Sequence, residues 1–227
     1  ELEHGYFRFV PPRQVKDLQR ALSARSSARH ALAFCSGRTA LFELLIYLRE
    51  SRPQTNLYLP ANSTLIPATL QNLEIPCHSL DLEKSVEWEK LSAKQGNVLL
   101  LAMKDPETFL KEKAKCLRKL RRIRVPVIIF SACPPIFDEW PSGLTYWVSN
   151  ITKPDSNVNL SGIEGGVILS NADRQIAELT EMRKRSGPIL SARNAAVFLE
   201  VIQNENADFS NNADFSQAVK SLNNSNP

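Results

Sequence analysis

The chain reads as α/β: a three-layer α/β/α sandwich built on a mostly parallel sheet. Three observations carry that expectation. Short apolar runs alternate with amphipathic stretches over most of the 227 residues, the pattern left by right-handed crossovers onto a parallel sheet. The run VPVIIF at 125–130 is apolar throughout and rich in β-branched residues, as a strand covered on both faces requires. Residues 31–48 read as a strand, a tight Ser36–Gly37 turn and a helix.

An extended opening at 5–12 leads into a helix whose Val15, Leu18 and Leu22 share one face. The strand at 31–35 and the helix at 39–48 follow. A second strand, 56–59, ends in Pro60, and a helix is expected around 65–70. Residues 75–78 form a third short strand. Gly96 releases the apolar run 97–102, and a basic helix is expected at 106–122 before the strand at 125–130. Residues 144–148 and 167–170 read as the last strands, the latter behind Gly165 and Gly166. A helix over 172–185 carries Ile176, Leu179 and Met182 on one stripe, with Arg183 to Arg185 suiting its C-terminus. Gly187 and Pro188 stop it, and a final apolar helix spans 191–202. Residues 1–203 thus form one large domain. Residues 204–227 form an Asn/Ser-rich polar tail, disordered or loosely docked, with NADFS occurring twice.

Composition narrows the classes of function. With 43% hydrophobic and 23% charged residues, the chain reads as an ordinary soluble protein. Its formal charge of +4 comes mostly from residues 111–124. That block is read as the solvated face of a helix whose Cys116, Leu117, Leu120 and Ile123 turn inward, not as a nucleic-acid site. Four cysteines without a C-x-x-C pair and three scattered histidines give no support to a metal site. No apolar run approaches the roughly 18 residues of a membrane span, and no signal-peptide pattern opens the chain. A cytoplasmic protein with no membrane partner is the expectation.

In a parallel sheet, ligands sit beyond the strand carboxyl ends, here the loops holding Ser36, Pro60, Ser131 and Ser149. The Ser36–Gly37 turn opens a helix, so the backbone N–H groups of Gly37, Arg38 and Thr39 face an anion, with the Thr39 hydroxyl beside them. Lys153 stands four residues beyond Ser149. A lysine in such a loop is either solvated or a Schiff-base former, with Ser149 beside it as a phosphate ligand. Neither segment alone selects the chemistry.

Their order does. CSGRTAL at 35–41, LYLPANSTLIPATL at 57–70, VPVIIFSAC at 125–133, SNITK at 149–153, IEGGVILSN at 163–171 and EMRKRSG at 181–187 follow one another. Together they resemble the fold-type I pyridoxal-phosphate (PLP) dependent transferases over about residues 5–203. The nearest resemblance is to the sugar aminotransferases and dehydratases of the DegT/DnrJ/EryC1/StrS group, with the cystathionine-synthase-like group second. The resemblance implies PLP as cofactor. Ser36, Gly37, Arg38, Thr39 and Ser149 would hold its phosphate, and Lys153 would serve as Schiff-base lysine and general base. It also implies amino transfer from a small-molecule donor, and a homodimer or a heterodimer with a related subunit.

The departures imply something else. The family's ring-nitrogen aspartate aligns with Phe130, its ring-side glutamine or histidine with Cys133, and its stacking aromatic with Thr64. Asp138 reads as a loop residue. The lysine loop carries extra residues at 154–159, and no small C-terminal domain follows residue 202. Arg193, the basic residue of the last apolar helix, reads as structural. Two expectations stand side by side: an aminotransferase-like enzyme with weak or altered activity, and an inactive homologue serving as scaffold or partner subunit.

Overall fold

The computed structural model describes residues 12–61, 73–81, 91, 96–102, 125–151, 164–186 and 190–204. In chain order these are α1 (Arg13–Arg25), β1 (His30–Phe34), α2 (Gly37–Ser51), β2 (Asn56–Pro60), β3 (Cys77–Leu80) and β4 (Asn97–Ala102). Then come β5 (Val127–Ser131), β6 (Tyr146–Asn150), β7 (Gly166–Ser170), α3 (Asp173–Ser186) and α4 (Ala192–Asn204). The opening at 5–11, the helices expected at 65–70 and 106–122, and the tail from 205 lie outside the described residues.

One seven-stranded sheet runs in the order β1-β7-β6-β5-β4-β2-β3. β2 to β6 pair in parallel, and β7 lies antiparallel to both β6 and β1. The expected sandwich is therefore present, with one reversed strand. Alternation along each strand divides the core in two. Val127 and Ile129 of β5 join Trp147, Val167 and Phe198 on the α1–α4 side. Ile128 and Phe130 join Val148, Ile168 and Leu44 on the α2–α3 side. The α1 stripe of Val15, Leu18 and Leu22 is buried, as its spacing predicts.

Three strands, β3, β5 and β6, begin two residues later than expected. Leu57 N–H donates to Pro76 O at 2.8 Å, so the β2–β3 ladder starts beyond the proline. Leu144 N–H donates to Pro141 O within a turn, and Thr145 N–H to Val127 O, so β6 proper begins at Tyr146 and runs on to Asn150. This shift matters for the site.

The margin of the sheet at β1 is closed by side chains. Gln19 Nε2 donates to Ala31 O at 2.6 Å and Arg183 Nη1 to Ala33 O at 2.8 Å. Arg183 is only 2% exposed and its guanidinium lies 5.5 Å from the centre of the Phe34 ring. Burial pushes its pKa down. The sequence placed this cation at the C-terminus of α3; it turns inward because 176, 179 and 183 share a helical stripe.

Candidate functional site

The parallel strands end along one crest of the sheet, at Phe34, Pro60, Ala102, Ser131 and Asn150, and β7 starts there at Gly166. Register places Gly166 between Phe34 and Asn150. To reach α2, the chain leaving β1 passes directly over this glycine. A Cβ on Gly166 would lie 2.2 Å from the Ser36 carbonyl carbon and oxygen and 2.4 Å from Gly37 N. The turn then closes on the end of β6, where a Cβ on Gly37 would lie 2.6 Å from Asn150 Oδ1 and 2.9 Å from the Ser149 carbonyl carbon. On the opposite face, a Cβ on Gly165 would meet the Phe198 ring at 2.4 Å. The glycine pair thus fits between the Ser36–Gly37 turn and α4, a steric requirement that holds whatever chemistry the site performs.

Ser36 caps α2. Its Oγ accepts from Thr39 N–H at 3.1 Å and lies 2.9 Å from Thr39 Oγ1; Cys35 Sγ donates to Thr39 Oγ1 at 3.4 Å. Gly37 N–H donates to Asn150 Oδ1 at 3.0 Å. Arg38 is exposed beside this turn. Of the residues that the sequence assigned to phosphate, Ser36, Gly37, Arg38 and Thr39 therefore lie together at the α2 N-terminus.

Ser149 comes to Gly37 through its backbone. Its side chain shares a face with Trp147 and Ser131, away from α2, because Ser149 pairs with Ser131 on one side and Val167 on the other. That hydroxyl is fully buried and has no hydrogen-bond partner among the described residues. The side chain that does reach α2 is Asn150. One signal pointed to it: Asn150 shares strand parity with Tyr146 and Val148, which face α2.

The far side of the crest is apolar. Phe130, flanked in register by Ala102 and Val148, is half-buried against the α2–α3 core. Next to it, Cys133 O accepts from Ser131 Oγ at 2.7 Å and Trp147 Nε1 at 3.3 Å. Asp138 does not reach back to this spot: its carbonyl accepts from Ser27 Oγ at 3.0 Å, near the start of β1 at the other end of the sheet. Lys153 and Thr64 lie outside the described residues. Among the described residues no three metal-ligating side chains cluster, and no helix is long and apolar enough to cross a membrane.

For a pyridoxal phosphate the two ends of the crest differ in fit. The phosphate end has a capped helix N-terminus, a turn with no room for a Cβ and an exposed arginine. The β5 end offers no carboxylate among its described strand-end residues: Phe130 stands there, half-buried against apolar neighbours.

No family model and no curated protein matches the sequence. Solved structures do. A methionine γ-lyase from Micromonospora echinospora aligns over 86% of this chain with a TM-score of 0.69 at 15% identity. A cystathionine γ-synthase from Xanthomonas oryzae pv. oryzae, in complex with aminoacrylate and cysteine, aligns over 90% with a TM-score of 0.71 at 14% identity. A protein assigned as an O-acetylhomoserine (thiol)-lyase from Campylobacter jejuni, which carries a pyridoxyl-lysine monophosphate, aligns over 82% with a TM-score of 0.63 at 16% identity. These alignments cover 54%, 56% and 53% of the three neighbours, so the chain spans about half their length.

At such identities the likeness is one of fold, and the fold is that of the large domain of these enzymes. It corrects the resemblance drawn from the sequence: the neighbours are sulfur-amino-acid lyases and synthases, not the sugar-aminotransferase group. The segments behind that first choice could not separate the two. The glycine pair and the Ser-Gly turn answer to packing at the crest, which any chain with this crossover shares.

Proposed function

We propose that this chain binds pyridoxal phosphate at the crest and belongs in function with the enzymes that process sulfur amino acids. The observation that carries this reading is the Ser36-capped N-terminus of α2 at the crest with Arg38 exposed beside it; the Ser36–Gly37 turn crosses Gly166 to close on the end of β6. That crossing sets the α2 N-terminus against Asn150, three residues before Lys153 in the sequence. The capped helix and Arg38 favour a phosphate there by dipole and charge. In this reading Ser36, Gly37, Arg38 and Thr39 orient the phosphate, while Ser149 holds the turn in place through its backbone. Lys153 attaches the cofactor and moves the proton at the substrate α-carbon. The bound cofactor supplies an aldehyde and an electron-accepting ring. Phe130 offers that ring no carboxylate, so proton abstraction is slow in this chain compared with one that keeps the acid. The substrate class is a small amino acid, with elimination or replacement favoured over amino transfer by the activities of the structural neighbours.

Phe130 also favours a second reading, an inactive homologue that associates with a related subunit or with a second copy. One experiment separates the two. The full chain is incubated with pyridoxal phosphate, reduced with borohydride and peptide-mapped. A reduced adduct at Lys153, lost in Lys153→Ala, supports the cofactor reading. An intact fold without adduct supports the partner-subunit reading.

A further inference from the structure

Helix α2 offers the crest an amide that is already engaged. Gly37 N–H donates to Asn150 Oδ1 at 3.0 Å, and Thr39 N–H donates to Ser36 Oγ at 3.1 Å. A carboxamide oxygen is a neutral acceptor, lodged where the helix dipole favours an anion. Gly37 makes the room for it: a Cβ there would stand 2.6 Å from that oxygen. Asn150 is exposed at the last position of β6, and the chain behind it is fixed independently, since Ile151 N–H donates to Gly165 O at 2.9 Å. The carboxamide can therefore leave by rotating its own side chain, without disturbing the strand.

We propose, resting on the phosphate site above, that Asn150 is a latch on that site. Its carboxamide stands in for the phosphate on the Gly37 amide, and a phosphate monoester binds only when the side chain swings away. The chain then binds its cofactor with an affinity reduced by the fraction of time the latch is closed. A doubly charged phosphate competes well for the amide, because a charged acceptor at a helix N-terminus makes a stronger hydrogen bond than a neutral one. A ligand without phosphate gains nothing from an open latch. Asn150 is thus a determinant of affinity and of phosphate selectivity, separate from the lysine chemistry.

The test uses the full chain and compares wild type with Asn150→Ala and Asn150→Asp. Pyridoxal phosphate and pyridoxal are titrated by absorbance, and inorganic phosphate by thermal shift, with circular dichroism as the fold control. Asn150→Ala is expected to tighten pyridoxal phosphate and inorganic phosphate roughly five- to tenfold, the worth of one neutral hydrogen bond, and to leave pyridoxal unchanged. Asn150→Asp, which puts a negative charge on the same amide, is expected to weaken both phosphate ligands by roughly tenfold or more. Equal phosphate affinity in wild type and Asn150→Ala overturns the latch, as does an equal gain for pyridoxal or no phosphate binding in either protein.

The cofactor reading fails separately. Phosphate binding that responds to Asn150 without a reduced adduct at Lys153 keeps the latch and removes the cofactor. An adduct at Lys153 with affinity indifferent to Asn150 does the reverse. Where Asn150→Ala does not fold, the Gly37 N–H and Asn150 side-chain amide resonances of the wild type decide. Both shift on adding phosphate if the latch opens, and an unmoved Asn150 amide overturns it.

Discussion

The two ends of the crest have been held to different standards. At the β1–β7–β6 end, three glycines meet a turn, a strand end and an aromatic ring at distances that allow no added carbon. At the β5 end, Phe130 packs half-buried against the core and Cys133 stands partly exposed beside it. Sterics preserve the first region whether or not a ligand is present; only chemistry would preserve the second. Retention of a motif at a crowded crossing is therefore weak support for catalysis, while the loss of a carboxylate from a strand end bears on it directly.

The comparison breaks most visibly at Gly166. Its neighbours are backbone atoms of Ser36 and Gly37, which have no rotamer to yield. Gly166→Ala is expected to cost about 3 kcal/mol or more in urea denaturation; a cost near zero would mean that the turn has slack. The nearest atoms to a Cβ at Gly165 are side-chain atoms of Phe198 and Ile151, so about 1–2 kcal/mol is expected for Gly165→Ala, with partial rescue by Phe198→Leu.

Next in size is Phe130→Asp. Placing a carboxylate in a half-buried apolar position is expected to cost about 2–3 kcal/mol of stability. In return, bound pyridoxal phosphate should show a more protonated ring in its absorbance spectrum. An unchanged spectrum with cofactor bound would place the ring elsewhere on the crest.

Ser149→Ala is a smaller test of the same division. Removing a buried hydroxyl that has no partner among the described residues is expected to stabilise the chain by about 1 kcal/mol, with affinity for pyridoxal phosphate unchanged. A loss of affinity would show that the hydroxyl, and not only the backbone of Ser149, serves the phosphate.

The smallest effect lies away from the crest and serves as a control. Asp173 is hydrogen-bonded to His30 at 2.7 Å and paired with Arg29 at 3.2 Å. The His30 bond first, and the charge of Arg29 after it, hold the Asp173 carboxyl below its ordinary pKa. A carboxylate depressed in the folded state stabilises above its unfolded pKa, and that contribution is lost as pH falls through the folded value. Melting temperature should therefore drop slightly more for wild type than for Asp173→Asn as pH is lowered through the acid range. Phosphate binding at neutral pH should be equal in the two.

Much of the scaffold was legible in the sequence. The Val15–Leu18–Leu22 stripe, the run into β5 and the strand–turn–helix at Ser36 each follow from a period or a composition that packing must respect. The site was less legible, because it depends on parity. Ending the sixth strand at 148 left both Ser149 and Asn150 in a loop, with Ser149 assigned to the phosphate. With β6 running to Asn150, Ser149 faces away from α2 and Asn150 faces it. A shift of two residues at a strand start keeps parity; what it changed was which residues had a face at all. Arg183 stands in the last turn of α3 as read, but that its side chain turns inward is told by the helical stripe and not by its charge.

The closed margin at β1 has a consequence for how such chains can associate. An open strand edge is a template on which another chain can polymerise. Here the carbonyls of Ala31 and Ala33 are engaged by Gln19 and Arg183, so that edge resists cross-strand growth. The opposite margin is β3, four residues long, with Cys77, His78 and Ser79 exposed. Among the described strands, the edge left open to β-augmentation is therefore the β3 side of the sheet.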